Sequence, residues 1–366
     1  MSERRLSAVD LFAGCGGLSL GLRNAGFKVA AAIEIDETAS QTYKKNHPNT
    51  KLLTEDVQNV TAESLTRSVP RGGVSLLAAC APCQGFCSLT AKWGREDVRN
   101  ELVLEVGRFV KELQPEAVFM ENVPGLETRG QRLLTELLAT LKAEGYYAQV
   151  RVIQMANHGI PQNRRRLVLL AGKGFVIPFP EATHHRDPAP DSGLKSWMTV
   201  RQAIQGNKAP LRLSAAHKLG GPQRVNWHVV RDLHEKTRKR LKAALPGKSW
   251  LDIDESLRPD CHQNGYSGFT NVYGRMAWDT IAGTITSGCT TPCKGRVGHP
   301  DRRRTTLSVR EAATLQTFPK SYRFDTEKME AVCEMIGNAV PPKFAEVIGL
   351  QIAMSLRQHL SAISRI

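Results

Sequence analysis

The feature that most constrains this chain is a rhythm in residues 6–171. Short apolar or β-branched runs ("LSAVDLF", "KVAAAIE", "VSLLAAC", "EAVFME", "RRLVLLA") alternate with stretches of helical periodicity such as "NELVLEVGRFVKELQ" and "QRLLTELLATLKAEG". Strands that are apolar throughout, rather than at every second position, are buried on both faces, and amphipathic helices between them supply the cover. The pattern predicts an α/β domain built on a doubly wound, mostly parallel sheet. Such sheets bind ligands beyond the carboxyl ends of their strands, so the chemistry-bearing residues of this half are expected at that edge.

The rhythm fades after "FVIPFPEATHHRDPAPDSG" (175–193), whose four prolines mark an exit from the first domain. Gly-, Pro- and Arg-bearing stretches with short strand-like pieces follow, which predicts a second, smaller, irregular β-rich domain. Helical patterning returns from 307. The last segment, "PKFAEVIGLQIAMSLRQHL", carries apolar residues at 344, 347, 348, 352, 356 and 360. That stripe must be buried, and the first domain is the expected surface, which makes that domain discontinuous.

Charge separates the same regions. The 366-residue chain has a net charge of +15, with 22 basic against 18 acidic groups in residues 1–175, 21 against 11 in 176–306, and 7 against 6 in 307–366. Two thirds of the excess lies in about a third of the chain, which points to a polyanion such as nucleic acid contacting that segment. The run "EKTRKRLK" (235–242) taken alone reads as a solvated helix face. The N-terminus lacks the apolar run of a signal peptide and no stretch reaches membrane-spanning length, so a soluble intracellular protein is expected. Its eight cysteines (15, 80, 83, 87, 261, 289, 293, 333) are expected to be reduced thiols rather than a disulfide framework.

Two stretches carry chemistry. "DLFAGCGGLSLGL" (10–22) passes from a strand through Gly14, Gly16 and Gly17 into a helix, and Glu34 ends the next strand. Glycines let the backbone turn tightly and a ligand approach, and a carboxylate there suits ribose hydroxyls. Nicotinamide, flavin and S-adenosylmethionine all fit, as does a plain glycine turn. Asp56, past the apolar pair "LL", suits an adenine amino group or an ordinary turn. The second stretch, "AACAPCQGFCSL" (78–89), opens a long aperiodic loop. Three readings of it stand side by side: a redox pair, half of a zinc site completed by "CTTPC" (289–293), and a single nucleophile at Cys83. "PCQ" after strand four, "FMENVPGL" (119–126) after strand five and "QNRRRL" (162–167) before strand seven are expected to bring a thiol, a carboxyl group and two arginines to one edge of the sheet.

"DLFAGCGG", "APCQGF", "ENVPGL", "QNRRR", "LSVREAATLQTFP" and "GNAVPP" occur in the order of the hallmark blocks of DNA cytosine-5 methyltransferases, and the chain resembles that family from residue 8 to about 355. The gap between "QNRRR" and "LSVRE", where the family keeps its target-recognition region, is where the positive charge is concentrated. The resemblance implies a catalytic domain of residues 1–178 plus 326–366 with the S-adenosylmethionine-dependent methyltransferase fold, and a target-recognition domain of 179–325. It implies Cys83 as nucleophile, Glu121 as the acid at ring N3, Arg166 at O2 and Arg164 in support. It assigns S-adenosyl-L-methionine to Phe12, Gly14, Gly16, Gly17, Glu34, Ile35, Asp56, Pro82, Leu102 and Asn338, and DNA contacts to Gln84, Ser88 and Arg99, with Trp93 as a wedge or an exposed loop aromatic. No metal is implied. Cys87 replaces a serine common after "PCQGF", and Ile35 stands where some members have an aromatic. The implied partner is double-stranded DNA, with a separately acting restriction endonuclease, for a cytoplasmic, nucleoid-associated prokaryotic monomer. Rivals are a cytosine-5 tRNA methyltransferase on the same scaffold, a zinc-bearing DNA-binding protein and a nicotinamide oxidoreductase.

Overall fold

The computed structural model describes residues 5–69, 73–82, 98–263 and 269–363. Cys83, Gln84, Cys87, Ser88 and Trp93 lie outside the described residues. The chain forms two compact units: Met1–His158, Arg165–Ala182 and Val340–Ile366 make the first, Gly159–Arg164 and Thr183–Ala339 the second.

The first unit runs β1 (Ser7–Leu11), α1 (Gly17–Asn24), β2 (Lys28–Ile33), α2 (Glu37–Asn46), β3 (Lys51–Leu53), α3 (Ala62–Thr66), β4 (Leu76–Ala79), α4 (Val103–Leu113), β5 (Ala117–Asn122), α5 (Gln131–Ala143), β6 (Tyr146–Gln154) and β7 (Arg165–Lys173). The strands form one sheet in the order β3-β2-β1-β4-β5-β7-β6. The first five are parallel, and β7 is antiparallel to both β5 and β6. Every residue of β1, β4 and β5 is buried, as continuous apolar runs require of a sheet covered on both faces. One face carries Val9, Leu11, Leu77, Ala79, Val118 and Met120 against Val106, Phe109 and Val110 of α4 and Leu137 and Leu141 of α5. The edge strand β6 instead alternates exposed with half-buried residues over most of its length, with only Tyr146 and Ile153 buried.

The C-terminal helix Pro342–Ile363 packs on α1 so closely that a Cβ at Gly21 would lie 2.4 Å from the Ala345 Cβ, and one at Gly349 2.7 Å from the Ala25 Cβ. Glycine at these two positions lets the backbones approach. No helix among the described residues is long and apolar enough to cross a membrane.

The second unit is irregular, as the sequence leads one to expect, but among the described residues it is not β-rich. Its described strands are two-residue pairs, His184–His185 with Lys195–Ser196 and Leu211–Arg212 with Val229–Val230. Irregular backbone leaves carbonyls without ladder partners, and buried ones need donors. Buried arginines provide them. Arg275 donates to the carbonyls of Ala244 (3.1 Å), Arg304 (3.0 Å) and Asp301 (3.2 Å), as well as to Leu241 and His299. Arg310 donates to those of Asn226 (2.9 Å) and Tyr322 (2.9 Å). Burial pulls both guanidinium groups down to about 10, which still leaves them charged near neutrality. Part of the basic excess therefore holds the unit together. The boundary also differs from the expected 325/326. The helix Met329–Asn338 belongs to the second unit, where Cys333 is 3.4 Å from the Thr290 hydroxyl, and the first unit resumes at Val340.

Candidate active site

At the carboxyl end of β1 the chain leaves the sheet through three left-handed residues, Phe12 (φ 60°), Gly14 (φ 55°) and Gly16 (φ 94°). A non-glycine residue in that region costs about 1–3 kcal/mol and marks a backbone that the surroundings hold in place. The holding contacts are local. Ala13 N–H donates to Ile33 O (2.9 Å), extending the β1–β2 pairing past its end. Gly14 N–H donates to Glu34 Oε2 (2.7 Å) and Asp36 N–H to Glu34 Oε1 (2.8 Å). Burial raises the pKa of Glu34 against the pull of these backbone donors. Beneath the loop, Ser19 of α1 donates to the fully buried Asp10 (2.6 Å) and lies 2.7 Å from the Tyr43 hydroxyl. Burial pushes Asp10 up to about 7 and pulls His47, which lies against the Tyr43 ring at 4.5 Å, down to about 3.

Other residues assigned to the cofactor have mixed settings. Ile35 is 63% exposed beside Glu34, and Phe12 is half-buried against the sheet core. Asp56 caps the turn Val57–Asn59 by accepting from Gln58 N–H (3.0 Å), the ordinary role of an aspartate at a turn. Pro82 and Leu102 are half-buried, Leu102 against the same core. Asn338 is an exposed residue of the second unit, and Arg99 an exposed one of the turn Val98–Leu102.

The ends of β4, β5 and β7 build a second cluster. Parallel β4 and β5 pair Ala79 with Met120, so Cys80 and Glu121 are the next residues in register. Antiparallel β7 brings its first residues to that same edge, which is how a strand start reaches the carboxyl ends of its neighbours. Glu121 lies opposite Val168, and Arg166, two residues from Val168, is on the same face. The Arg166 Nε is 3.1 Å from Glu121 Oε1, and the Cys80 thiol donates to Glu121 Oε2 at 3.1 Å. Glu121 is 3% exposed. Asn122 donates to Ala81 O (3.3 Å), tying the chain that leaves β4 to β5.

Arg164 does not share the face of Arg166. It precedes β7, belongs to the second unit and is 2% exposed. Its guanidinium donates to the carbonyls of Ile285 (3.1 Å), Gly337 (3.3 Å) and Ala339 (3.2 Å). Gln162 and Gln316 complete this network, Gln162 donating to Leu315 O (3.1 Å) and Gln316 to Ile336 O (2.9 Å). "QNRRR", "LSVREAATLQTF" and "GNAVPP" thus meet as backbone clamps, a role for Gln162 and Gln316 that the sequence reading missed. Buried glutamines within motifs were the available signal. Cys80 was also missed as a partner of Glu121, although the register of two adjacent parallel strands encodes the pairing. Neither half of the zinc reading stands apart from other contacts: Cys80 faces Glu121, and Cys289 hydrogen-bonds Cys333.

A mostly parallel seven-stranded sheet with a glycine loop after β1 and an acid after β2 is the fold of S-adenosylmethionine-dependent methyltransferases. Residues 6–354 match the family model of C-5 cytosine-specific DNA methylases. The chain belongs to that family and is a DNA (cytosine-5-)-methyltransferase. It is 36% identical to the Type II methylase M.HgiDII of Herpetosiphon aurantiacus, covering 98% of this chain and 96% of that one. It is 31% identical to the Type II methyltransferase M.XorII of Xanthomonas oryzae, covering 96% and 85%. Solved structures share the fold: a putative DNA modification methyltransferase encoded within an E. coli prophage (TM-score 0.73, 22% identity, 96% of this chain and 99% of that one) and a Spodoptera frugiperda DNMT2 mutant (TM-score 0.64, 17% identity, 95% and 99%).

Proposed function

We propose that this enzyme methylates carbon 5 of a cytosine rotated out of a specific short double-stranded DNA sequence, through a covalent bond between Cys83 and carbon 6, with S-adenosyl-L-methionine as methyl donor. The observation that carries the reading is the buried Glu121 held by Arg166 at the carboxyl edge of the sheet, in a chain of this family. Carbon 5 of cytosine is a poor nucleophile. Addition of the Cys83 thiolate to carbon 6 moves an electron pair toward N3, where the Glu121 carboxyl group delivers a proton, and leaves carbon 5 with enamine reactivity. Arg166 faces the charge that develops at O2, so both groups bind the transition state more tightly than the ground state. Carbon 5 then takes up the methyl group, its proton leaves, the Cys83 thiolate is expelled and N3 returns its proton to Glu121, which restores the aromatic ring and the acid.

The residues around β1 and β2 fit the donor. A Cβ at Gly14 would meet no atom within 4 Å among the described residues, the Glu34 carboxylate suits a ribose diol, and exposed Ile35 gives an apolar face for a base. Phe12, Gly16, Gly17, Asp56, Pro82 and Leu102 belong to the same assignment. When bound, the donor supplies an electrophilic methyl group on a sulfonium. Because the reacting edge of a paired cytosine is stacked and out of reach, the base is flipped, with Gln84, Ser88 and Arg99 assigned to DNA. The second unit is the proposed reader of the target, and an endonuclease acting on the same sequence fits the Type II names of the relatives.

The test is expression in a host without cytosine methylation, followed by genome-wide mapping of 5-methylcytosine, with Cys83→Ser as control. A duplex carrying the mapped motif with 5-fluorocytosine at the target should then trap intact enzyme covalently at Cys83. Marks confined to tRNA, or no adduct on the fluorinated duplex, would overturn the proposal.

A further inference from the structure

We propose that Cys80 is a positioning residue for Glu121, its thiol fixing the carboxyl group so that the proton-bearing edge faces the cytosine ring. The inference rests on the reading of Glu121 as the acid. Two groups hold the carboxyl group from two sides: the Arg166 guanidinium forms an ion pair with Oε1 (Nε at 3.1 Å) and the Cys80 thiol donates to Oε2 (3.1 Å). The guanidinium draws negative charge to Oε1, which makes Oε2 the oxygen that carries the transferable proton. Oε2 is the atom Cys80 touches. With the thiol on one lone pair of Oε2, the other lone pair is the one left for the proton.

The thiol is itself fixed. Cys80 N–H donates to Leu11 O (3.3 Å) at the end of β1, and Asn122 holds the neighbouring Ala81 carbonyl from β5 (3.3 Å). Cys80 is therefore strung between the strand that leads into the glycine loop and the strand that carries the acid. A thiol is a weak donor. Even a weak donor can orient a carboxyl group that the Arg166 guanidinium already holds at its other oxygen.

The experiment measures kcat and both KM values on a duplex carrying the mapped motif, for Cys80→Ala, Cys80→Ser, Glu121→Gln and the double variant Cys80→Ala/Glu121→Gln. Misplacing a catalytic group by a fraction of an ångström is expected to lower kcat roughly 10-fold in Cys80→Ala, with both KM values unchanged. Cys80→Ser, which keeps a donor at the same place, should recover kcat to within about 3-fold. In the Glu121→Gln background, Cys80→Ala should cost nothing further, because a positioning residue has no effect once the group it positions is gone. The proposal is overturned by wild-type kcat in Cys80→Ala, by equal losses in the Ala and Ser variants, or by the full loss recurring in the double variant. Full activity of Glu121→Gln would instead refute the acid itself, so the two failures are distinct.

Discussion

Two arginines from one three-residue run show how differently the two units use the same side chain. Arg166, at the start of a strand in the first unit, pairs with the buried Glu121 carboxylate, donates to the carbonyl of its own neighbour Arg165 (2.8 Å) and keeps a partly exposed flank. Arg164, in the second unit, lies under three backbone carbonyls and is fully buried. The first unit satisfies its backbone through a ladder of strands and helices, so a polar side chain at a strand end is left for chemistry. The second has only short helices and two-residue strands among the described residues, and its buried Arg164, Arg275 and Arg310 do for stray carbonyls what a ladder does elsewhere. Position in a motif does not say which of the two tasks a residue performs; the hydrogen-bonding needs of the backbone around it do.

The strongest way to break this contrast is Glu121→Gln. Removing a general acid should lower kcat by about 10²–10⁴-fold, while stability stays within about 1 kcal/mol, because the amide oxygen still accepts from its neighbours. A large fall in the urea midpoint with little loss of kcat would make Glu121 a structural ion and erase the difference from Arg164. The mirror-image test is Arg164→Met, which strips the donors from three carbonyls and should cost about 3 kcal/mol in urea unfolding. An unchanged midpoint with a collapsed kcat would move Arg164 into the catalytic set that the family resemblance assigns it to.

A smaller effect sharpens the comparison at Asp10, a fully buried acid that accepts from the hydroxyl and the backbone N–H of Ser19. Its folded value of about 7 lies above the ordinary 3.8. Below about 4 both folded and unfolded chains hold the proton; as pH rises from there to about 7 only the folded chain keeps it, so stability falls across that window and then levels off. Asp10→Asn abolishes this contribution. The slope of unfolding free energy against pH between about 4.5 and 6.5 should become more positive than wild type by about 1.4 kcal/mol per pH unit. Buried His47, held down to about 3, contributes in the opposite direction in both proteins and cancels from the difference. Parallel pH curves would show that Asp10 is ionised in the folded chain.

Much of the fold could be read because burial on both faces writes itself into a strand as an unbroken apolar run, as in "SAVDL" and "AVFMEN", and an amphipathic stripe betrays a helix that must be covered. "YYAQVRVIQ" carries no unbroken apolar run, because an edge strand buries only part of its surface. The β-rich expectation for the second unit failed because short apolar pieces between glycines and prolines look the same whether they pair as strands or pack as irregular chain clamped by arginines.

The linear order of residues determined by itself that the chain makes a parallel sheet with a glycine loop at its first strand and an acid at its second and fifth, because these follow from local periodicity and from residue types that only certain backbones tolerate. Only the tertiary structure decided that Cys80 faces Glu121, that Arg166 reaches the acid while Arg164 clamps carbonyls, and that Asp10 is buried beneath the loop. Those outcomes depend on strand order, on the antiparallel turn of β7 and on which backbone groups are left without partners. Such relations join residues far apart in sequence, and no local pattern encodes them.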